Sequence, residues 1–364
     1  MNRRDLFEDL FILEIANNHW GDVSRGLEII RQHSRMVRFN NVRAALKLQF
    51  RDVDNFIHKD FRDRSDVRYI KKTMDTKLSK EHYAVLIDAV KKSDCIPMAT
   101  PFDEASVDLC VEFGLPLIKV ASSDINDWLL LERIAATKRP VIVSTGGSSQ
   151  KDTDDIVTFF ERRNIPLAIN HCVSLYPTEE GELELNQIDY LKNRYPGHVI
   201  GLSTHEHADW QWSMAIAYAK GTRTFERHID IDAGGIPVSP YCSTPNQIDT
   251  WFKAFNRVRD MCGSSPEQKR RPSLKEVEYL DALVRGVYAK RDLPAGHVLN
   301  NLSIQDDIYL AIPLQKGQLS CRELMTGETI QRPIPKDSAV MIDDIDSAYA
   351  YTPELKKMIM NRGL

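Results

Sequence analysis

The amino-acid sequence predicts an α/β protein, a (β/α)8 TIM barrel followed by a small β-rich domain. Short apolar segments alternate with longer amphipathic segments through residues 1–262, as expected for strands and helices that succeed one another along the chain. Several apolar segments are almost uninterrupted, which is typical of parallel strands covered on both faces. Beyond a polar break at residues 263–272, the pattern changes to short strands separated by turns.

The barrel prediction rests on eight candidate strands with helical segments between them. Asp103 can cap a helix over 104–113 that Gly114 ends, and residues 151–163 and 210–220 also have helical spacing. Eight such strands favour a closed barrel. A doubly wound open sheet is the alternative, but no Gly-x-Gly-x-x-Gly motif follows the first strand to support its dinucleotide-binding form. The candidate strands are 11–16, 44–50, 96–100, 115–121, 141–144, 167–172, 199–203 and 223–228.

The break at residues 263–272 marks the predicted end of the barrel. It is polar and contains two prolines, as linkers often do. Ser273 and Glu276 then match a capping box for a helix from Leu274 to about Val284. The predicted organisation is a barrel over 1–262, a linker with a helix over 263–283, a small β-rich domain over 284–345 and a C-terminal tail over 346–364.

Composition and charge argue against several classes of protein. The 48 basic and 52 acidic residues give a net charge of −4, without the basic excess of a nucleic-acid-binding protein. No apolar run approaches the roughly 18 residues that a membrane span needs, and the apolar run at 10–13 is too short for a signal peptide. The six cysteines lack Cys-x-x-Cys spacing, so we expect free thiols in a reducing cytoplasm.

Two lysines interrupt the apolar pattern near the ends of predicted strands. Lys47 shares one face of the second strand with Gln49, and Lys119 interrupts the apolar run of the fourth strand. Because burying an unpaired lysine is unfavourable, such residues usually have an anionic partner. Barrel enzymes work at the C-terminal ends of their strands, so the lysines predict an anion site there. The alternative is that each lysine points outward or pairs with a structural carboxylate.

Hydroxyl side chains occur at corresponding positions. The segment from Ser144 to Gly147 resembles a turn that cradles a phosphate, because its glycines leave backbone N–H groups accessible. Each hydroxyl alone is equally expected at a strand end or helix cap. Together with the lysines they predict a phosphate held by several strand ends. The hydroxyl residues are Thr100, Ser122, Ser123, Ser144, Thr145 and Ser203.

Two histidines lie at the ends of neighbouring strands. His205 follows the seventh strand and His228 ends the eighth, so both imidazoles could bind one metal ion, with His207 as a competing ligand. Glu226 shares a face with His228 by the two-residue period. Glu14 lies on the first strand, which borders the eighth in a closed barrel, and could act as a general base or orient a water.

Taken together, these segments resemble the N-acetylneuraminate (sialic acid) synthase family. They occur in family order and cover the whole barrel. Residues 285–296, at the start of the β-rich domain, resemble the beginning of an antifreeze-like (SAF) domain. The matching barrel segments, in one-letter code, are EIANNHWGD (14–22), KLQF (47–50), TPFD (100–103), KVASS (119–123), VIVSTGG (141–147), HCVSLYPT (171–178), GLSTH (201–205) and FERH (225–228).

The resemblance implies both an architecture and an activity. It implies a barrel joined by a linker to an SAF domain that caps the barrel of the other subunit in a domain-swapped homodimer. It also implies a transferase of surface polysaccharide biosynthesis, for which the cysteines, charge and hydropathy predict a cytoplasmic location without nucleic-acid or membrane partners. This enzyme would condense phosphoenolpyruvate with an aldehyde sugar, an N-acylated aminohexose or a variant of one, to a nonulosonic acid. A divalent metal, Mn²⁺ with Mg²⁺ or Co²⁺ as alternatives, would polarise the aldehyde oxygen.

The resemblance also assigns roles to individual residues. His205 and His228 match the metal ligands, and Glu14 and Glu226 match catalytic carboxylates. The residues that match the phosphoenolpyruvate-binding set are Lys47, Thr100, Lys119, Ser122, Ser144 and Ser203, and those that match acceptor-sugar positions are Gln49, Phe102 and Tyr176.

The departures from the family pattern concern mainly the acceptor sugar. The family usually has Ser-Asp-His where this chain has Thr204 between Ser203 and His205, and Gly-Ser-Gly-Glu at residues 121–124. Residues 234–240 lack the family's acceptor-binding aspartate, and residues 303–313 lack its SAF arginine motif. We therefore expect an acceptor other than plain N-acetylmannosamine.

Two other interpretations stay open at this point. One is a related 3-deoxy-ulosonate synthase that uses a non-aminated or phosphorylated sugar, which the missing arginine motif would permit. The other is a non-catalytic sugar-binding barrel. Retention of Glu14, Lys47, Lys119, His205 and His228 argues against loss of catalysis.

Overall fold

The computed structural model describes residues 6–207, 209–263 and 268–364. The chain divides into two compact units, residues 1–263 and 264–364. None of the described helices is long and apolar enough to cross a membrane.

The first unit is a closed parallel barrel. The prediction of a (β/α)8 barrel is therefore confirmed, and the alternative prediction of a doubly wound open sheet is wrong. Its strands pair in chain order and β1 also pairs with β8, where Leu10 lies opposite Thr224 and Glu14 opposite His228. The strands are β1 (Leu10–Ala16), β2 (Arg43–Phe50), β3 (Ile96–Pro101), β4 (Leu117–Val120), β5 (Val141–Ser144), β6 (Leu167–Cys172), β7 (Val199–Thr204), β8 (Thr224–Ile229) and a short β9 (Cys242–Ser243) beside β8.

Helices connect the strands and cover the barrel. As predicted, the Asp103 side chain accepts a hydrogen bond from the Ser106 N–H at 2.7 Å at the start of α5, and Gly114 follows this helix with a left-handed φ of 67°. The helices are α1 (Val23–Asn40), α2 (Val53–Phe56), α3 (Arg68–Asp75), α4 (Lys80–Lys92), α5 (Glu104–Glu112), α6 (Trp128–Ala136), α7 (Gln150–Arg162), α8 (Gln187–Arg194), α9 (Trp210–Lys220) and α10 (Pro245–Cys262).

The fourth strand is shorter than the predicted segment 115–121. The Leu115 N–H donates to the Cys110 carbonyl at 3.0 Å, which makes Leu115 part of the turn that closes α5. Residues 122–124 form a single helical turn after the strand. The other seven strands agree with the predicted segments to within one residue at each end.

The interior of the barrel changes from apolar to polar along the strands. Inward side chains near the N-terminal ends form an apolar cluster that includes Ile12, Ala45, Met98 and Leu117. A second and larger apolar cluster lies between the strands and the surrounding helices. Because side chains alternate along a strand, the residues two positions further on point into the same barrel. These are Glu14, Lys47, Thr100 and Lys119, and all of them are buried.

The second unit contains short strands and helices around its own apolar core. β10 (Gly286–Ala289) pairs antiparallel with β12 (Ile308–Ala311), and β13 (Thr326–Ile330) lies between β11 (Val298–Asn300) and β14 (Ile345–Asp346). Beyond β14, Tyr349, Ala350 and Ile359 pack against this core. The helices are α11 (Leu274–Asp281), α12 (Ile304–Asp307), α13 (Cys321–Leu324), α14 (Ala348–Tyr351) and α15 (Pro353–Met360).

The first of these helices ends earlier than predicted. Ser273 caps α11 by accepting from the Glu276 N–H, but the Glu276 carboxylate binds Arg270 at 2.7 Å and does not complete the capping box. At the other end, the N–H groups of Leu283 and Val284 both donate to the Leu280 carbonyl, so the last turn is irregular.

Close packing inside the barrel at Gly201 provides a test of the fold. A Cβ at Gly201 would lie 1.8 Å from Thr224 Oγ1 and 2.2 Å from Asn170 Oδ1, two side chains that hydrogen-bond to each other at 2.6 Å. We expect Gly201→Ala to lower the free energy of unfolding by about 1–3 kcal/mol, measured by urea denaturation, because the inserted methyl group forces these groups apart.

Gly197→Ala is the matched control, because nothing lies within 4 Å of a Cβ at that position. Equal unfolding midpoints for the two variants would contradict the tight packing at Gly201.

Candidate active site

A cavity of about 940 Å³ opens at the C-terminal ends of the barrel strands. It is lined by every residue to which the family resemblance assigns a role in catalysis, phosphoenolpyruvate binding, acceptor binding or metal binding. Thr145 does not line it, because its hydroxyl and its N–H both donate to the Asn170 carbonyl. The structure therefore brings the predicted site residues together at the catalytic face of the barrel.

Lys47 is the centre of a buried charged cluster in this cavity. Its Nζ forms ion pairs with Glu14 Oε2 and with Glu226 Oε1, the latter at 3.1 Å, and donates a hydrogen bond to Thr100 Oγ1 at 3.0 Å. Lys119 Nζ lies 3.9 Å from Glu226 Oε2. These five side chains are 1–4 % exposed, so neither lysine points outward to solvent. Both lysines do pair with carboxylates, but the carboxylates belong to the same cavity.

The two glutamates of this cluster have different affinities for protons. Burial raises the pKa of Glu14 above its usual range, and the nearby Lys47 only partly opposes this. Burial also acts on Glu226, but the charges of Lys119 and Lys47 outweigh it and lower the pKa of that carboxyl. Two carboxyl groups with pKa values moved apart are suited to different roles in acid–base chemistry.

His205 and His228 lie close together, with ring centroids 5.3 Å apart. Burial lowers the pKa of His205 to about 4 and the pKa of His228 well below its usual value, so both rings are neutral at pH 7. His205 Nδ1 donates to the Val173 carbonyl at 3.0 Å, which leaves its Nε2 with a free lone pair. His228 Nδ1 is buried and has no hydrogen-bond partner among the described residues.

This pair of imidazoles fits a metal site in the chemistry of its donors. Neutral histidines are common metal ligands, and a hydrogen bond from the second ring nitrogen to a carbonyl fixes the ring and its tautomer. In the part of the chain that the structure describes, no group of three or more His, Cys, Asp or Glu side chains is arranged to hold a metal. A metal here would therefore complete its coordination with water or substrate. The competing candidate, His207, is exposed and does not line the cavity.

The predicted phosphate-binding turn carries a buried hydroxyl group without a hydrogen-bond partner among the described residues. Ser144 Oγ is buried without a partner among the described residues. Ser122 Oγ accepts from the Gly146 N–H at 3.0 Å, which fixes the turn against the end of β4. A side chain at Gly146 would require Ser174 to move, since a Cβ would lie 2.2 Å from Ser174 Oγ. A buried hydroxyl with no partner is suited to binding a polar ligand.

The predicted acceptor residues line the cavity with aromatic and amide groups. The Tyr176 ring lies 4.0 Å from the His205 ring and 5.3 Å from the Tyr241 ring, measured between centroids. Gln49 Oε1 accepts from Arg51 Nη1 at 2.9 Å, and the Arg51 guanidinium lies 3.7 Å from the centroid of Phe102.

Sequence reasoning missed several residues of the cavity. Arg51, Arg68, Lys72 and Tyr241 line it, although none of them lies on a barrel strand. Arg68 and Lys72 are four residues apart on α3, a spacing that places two side chains on one face of a helix. This spacing is the feature of the sequence that could have indicated a pair of cations at the site.

A second buried ion pair lies directly behind the two histidines. Arg227 precedes His228, is 1 % exposed, and places Nη1 3.1 Å from Glu206 Oε1 and Nη2 2.9 Å from the Glu206 carbonyl. The Glu206 carboxylate also accepts from the hydroxyls of Thr204 and Ser213. Thr204 stands where the family usually has aspartate and lies opposite Arg227 in the pairing of β7 with β8. Glu206 thus supplies a carboxylate two residues after the position where the family usually has an aspartate.

Fold and site together define a TIM-barrel enzyme, with acidic, basic and imidazole side chains in one cavity at the catalytic face. Residues 40–266 match the model of the NeuB family, and the chain belongs to this family.

Named relatives agree with this assignment. The chain is similar to the crystal structure of a protein from Chromobacterium violaceum named as a spore coat polysaccharide biosynthesis protein E, with 36% identity, a TM-score of 0.88 and coverage of 93% of this chain and 100% of that chain. It is 30% identical over 241 residues to N-acetylneuraminate-9-phosphate synthase of Drosophila melanogaster, covering 66% of this chain and 64% of the relative. It is 25% identical over 304 residues to N,N'-diacetyllegionaminic acid synthase of Campylobacter jejuni, covering 80% of this chain and 87% of the relative.

The Glu206–Arg227 pair generates a prediction about stability. Glu206→Gln leaves the Arg227 guanidinium buried without a counter-charge, so we expect the free energy of unfolding in urea to fall by about 3–5 kcal/mol. The double change Thr204→Asp with Glu206→Gln returns a carboxylate opposite Arg227 and should recover part of that loss.

Glu161→Gln serves as the control, because the Glu161 pair with His198 is exposed on the glutamate side and removing it should cost less than about 1 kcal/mol. A loss for Glu206→Gln no larger than that of the control would mean that Arg227 does not depend on this carboxylate.

Proposed function

We propose that this protein is a phosphoenolpyruvate-dependent nonulosonate synthase. C3 of phosphoenolpyruvate forms a bond to the aldehyde carbon of a sugar, water adds at C2, and the C2–O bond breaks to release phosphate. The observation that carries the proposal is the buried cluster of Glu14, Lys47, Glu226 and Lys119 beside His205 and His228 in the cavity of a NeuB-family barrel. The named relatives include synthases of N-acetylneuraminate 9-phosphate and of diacetyllegionaminic acid, which supports this reaction type.

The lysines and hydroxyls are suited to binding phosphoenolpyruvate. Lys47 and Lys119 supply two buried positive charges, and ammonium groups bind phosphate and carboxylate as point charges. Around them, the hydroxyls of Thr100, Ser122, Ser144 and Ser203 line the same cavity. Because Ser144 Oγ has no partner among the described residues, a bound phosphate oxygen would satisfy it.

Glu14 is suited to move the proton that the reaction needs. With its pKa raised by burial, Glu14 can hold a proton and give it to the aldehyde oxygen as the carbon–carbon bond forms. The resulting carboxylate can then take a proton from the water that adds at C2, which returns Glu14 to its starting state. Glu226 stays ionised because Lys119 and Lys47 lower its pKa, and it holds both lysines in place.

His205 and His228 would hold a divalent metal, for which Mn²⁺ is the proposed ion and Mg²⁺ and Co²⁺ are alternatives. When bound, such an ion supplies a Lewis acid for the aldehyde oxygen. The support on the chain's side is the neutral state of both rings and the unpartnered Nδ1 of His228.

The acceptor and the second unit complete the proposal. The acceptor is an N-acylated aminohexose or a variant of one, in contact with Gln49, Phe102 and Tyr176, whose amide and aromatic groups suit a sugar ring.

Residues 284–345 are proposed to be an SAF domain that completes the partner's site in a domain-swapped homodimer located in the cytoplasm. The β-rich character of the second unit supports this domain assignment.

The function is tested by phosphate release from phosphoenolpyruvate with Mn²⁺ across aldehyde sugars with and without 2-acylamino groups. We expect release with at least one sugar, and a product heavier than that sugar by one pyruvic acid in the mass spectrum. Phosphoenolpyruvate whose bridging oxygen is ¹⁸O should give labelled phosphate, because the bond between C2 and that oxygen breaks. Unlabelled phosphate, or release that does not depend on sugar, would contradict the proposed reaction.

The metal ligands are tested by His228→Ala. We expect this variant to lose bound Mn²⁺, measured by elemental analysis after gel filtration, and to lose turnover while its far-UV circular dichroism is unchanged. His207→Ala is the matched control, because this neighbouring histidine is exposed outside the cavity. Retention of the metal by His228→Ala together with its loss in His207→Ala would reverse the assignment.

A further inference from the structure

Three cations line the outer part of the cavity beyond the buried cluster. Arg51 follows β2, and Arg68 and Lys72 lie one turn apart on α3. Among residues 6–207, 209–263 and 268–364, none of the three forms an ion pair with a carboxylate, whereas Lys71 on the same helix pairs with Asp75 at 2.5 Å. These three cations are called the outer cation set below.

Arg51 is held in one orientation and retains a hydrogen-bond donor without a partner. Its Nη1 donates to Gln49 Oε1 at 2.9 Å, and its guanidinium lies 3.7 Å from the ring centroid of Phe102. Its Nε is buried and has no hydrogen-bond partner in the part of the chain described. A buried N–H donor without a partner is unfavourable unless an acceptor arrives, and the planar fork of a guanidinium suits a phosphate or carboxylate.

The charges of the cavity do not balance in its outer part. The inner lysines, Lys47 and Lys119, each lie within 4 Å of a glutamate side chain of the cluster. Against the outer cation set the cavity lining contains one further carboxyl, Asp124, and burial raises its pKa to about 6. The outer cavity therefore carries an excess of positive charge beside the predicted acceptor residues Gln49 and Phe102, both of which contact Arg51.

We infer that Arg51, Arg68 and Lys72 form a subsite for an anionic group of the acceptor sugar, either a phosphate ester or a carboxylate. The inference rests on the proposed function, since it assumes that phosphoenolpyruvate occupies the inner cluster. The subsite selects for charge: an acceptor with an anionic group satisfies the Arg51 donor and the excess charge, whereas a neutral sugar leaves both unmatched.

The test compares a 2-acylamino-hexose with its 6-phosphate and with the corresponding uronic acid, in the wild type and in Arg68→Gln/Lys72→Gln. Both positions lie on an exposed or half-exposed helix surface, so the variant should fold. We expect the wild type to prefer one of the anionic sugars, and the variant to reduce the ratio of anionic to neutral kcat/KM by about tenfold or more, through KM of the sugar. Which anionic sugar is preferred distinguishes phosphate from carboxylate. Lys71→Gln is the matched control and should behave as the wild type.

Binding by isothermal titration calorimetry keeps this inference separate from the proposed reaction. Binding of an anionic sugar to the wild type and its loss in Arg68→Gln/Lys72→Gln would support the subsite even if no phosphate is released. Equal affinity for anionic and neutral sugars would overturn the subsite even if the synthase reaction occurs. A rise in KM for phosphoenolpyruvate in the variant, with the sugar preference unchanged, would also overturn it by assigning these cations to the other substrate.

Discussion

The ion pairs of Lys47 with Glu14 and Glu226 are the interaction on which the rest of the site depends. A buried ammonium group is tolerated only when carboxylates compensate for the water it has lost. The two carboxylates come from β1 and β8, the first and last strands of the barrel, and Lys47 comes from β2. They meet because closure of the barrel places β1 between β2 and β8. The charged cluster therefore needs a closed barrel, and an open sheet with β1 and β8 apart would leave Lys47 without one of its partners.

Two further buried ion pairs connect the ends of strands to neighbouring segments. Glu206 and Arg227 join the ends of β7 and β8, with Ser213 of α9 as an additional donor. On the other side of β8, the Arg25 guanidinium binds Asp230 at 2.7 Å and also donates to carbonyls at Asn18, Ile231 and Ala233. Since these contacts lie on either side of the segment that carries Glu226 and His228, they restrict its position in the cavity. Rigid support of this kind is what precise placement of functional groups requires.

The sequence predicted the barrel and its inner site because both follow from alternation within single strands. Lys47 and Lys119 stand out as polar residues within apolar runs, and Glu14 and His228 are predicted neighbours once the barrel closes. The outer cation set was not predictable in this way, because Arg68 and Lys72 lie on a helix between β2 and β3 whose position over the cavity depends on tertiary packing. The partnership of Glu206 with Arg227 was missed for a related reason. It depends on the register between β7 and β8, which places Arg227 opposite Thr204. The residue pattern of a single strand does not encode this register.

The different proton affinities of Glu14 and Glu226 follow from the number of lysines that each one faces. Both carboxyl groups are buried, and burial alone would raise both pKa values. Within 4 Å Glu14 pairs with Lys47 but not with Lys119, and it also feels the negative charge of Glu226, so burial prevails and its pKa is raised. Glu226 lies between Lys47 and Lys119, and two cations are enough to reverse the effect of burial. Lys119 therefore does more than add a positive charge to the cavity, because its position beside Glu226 moves the pKa values of two otherwise similar carboxyl groups apart.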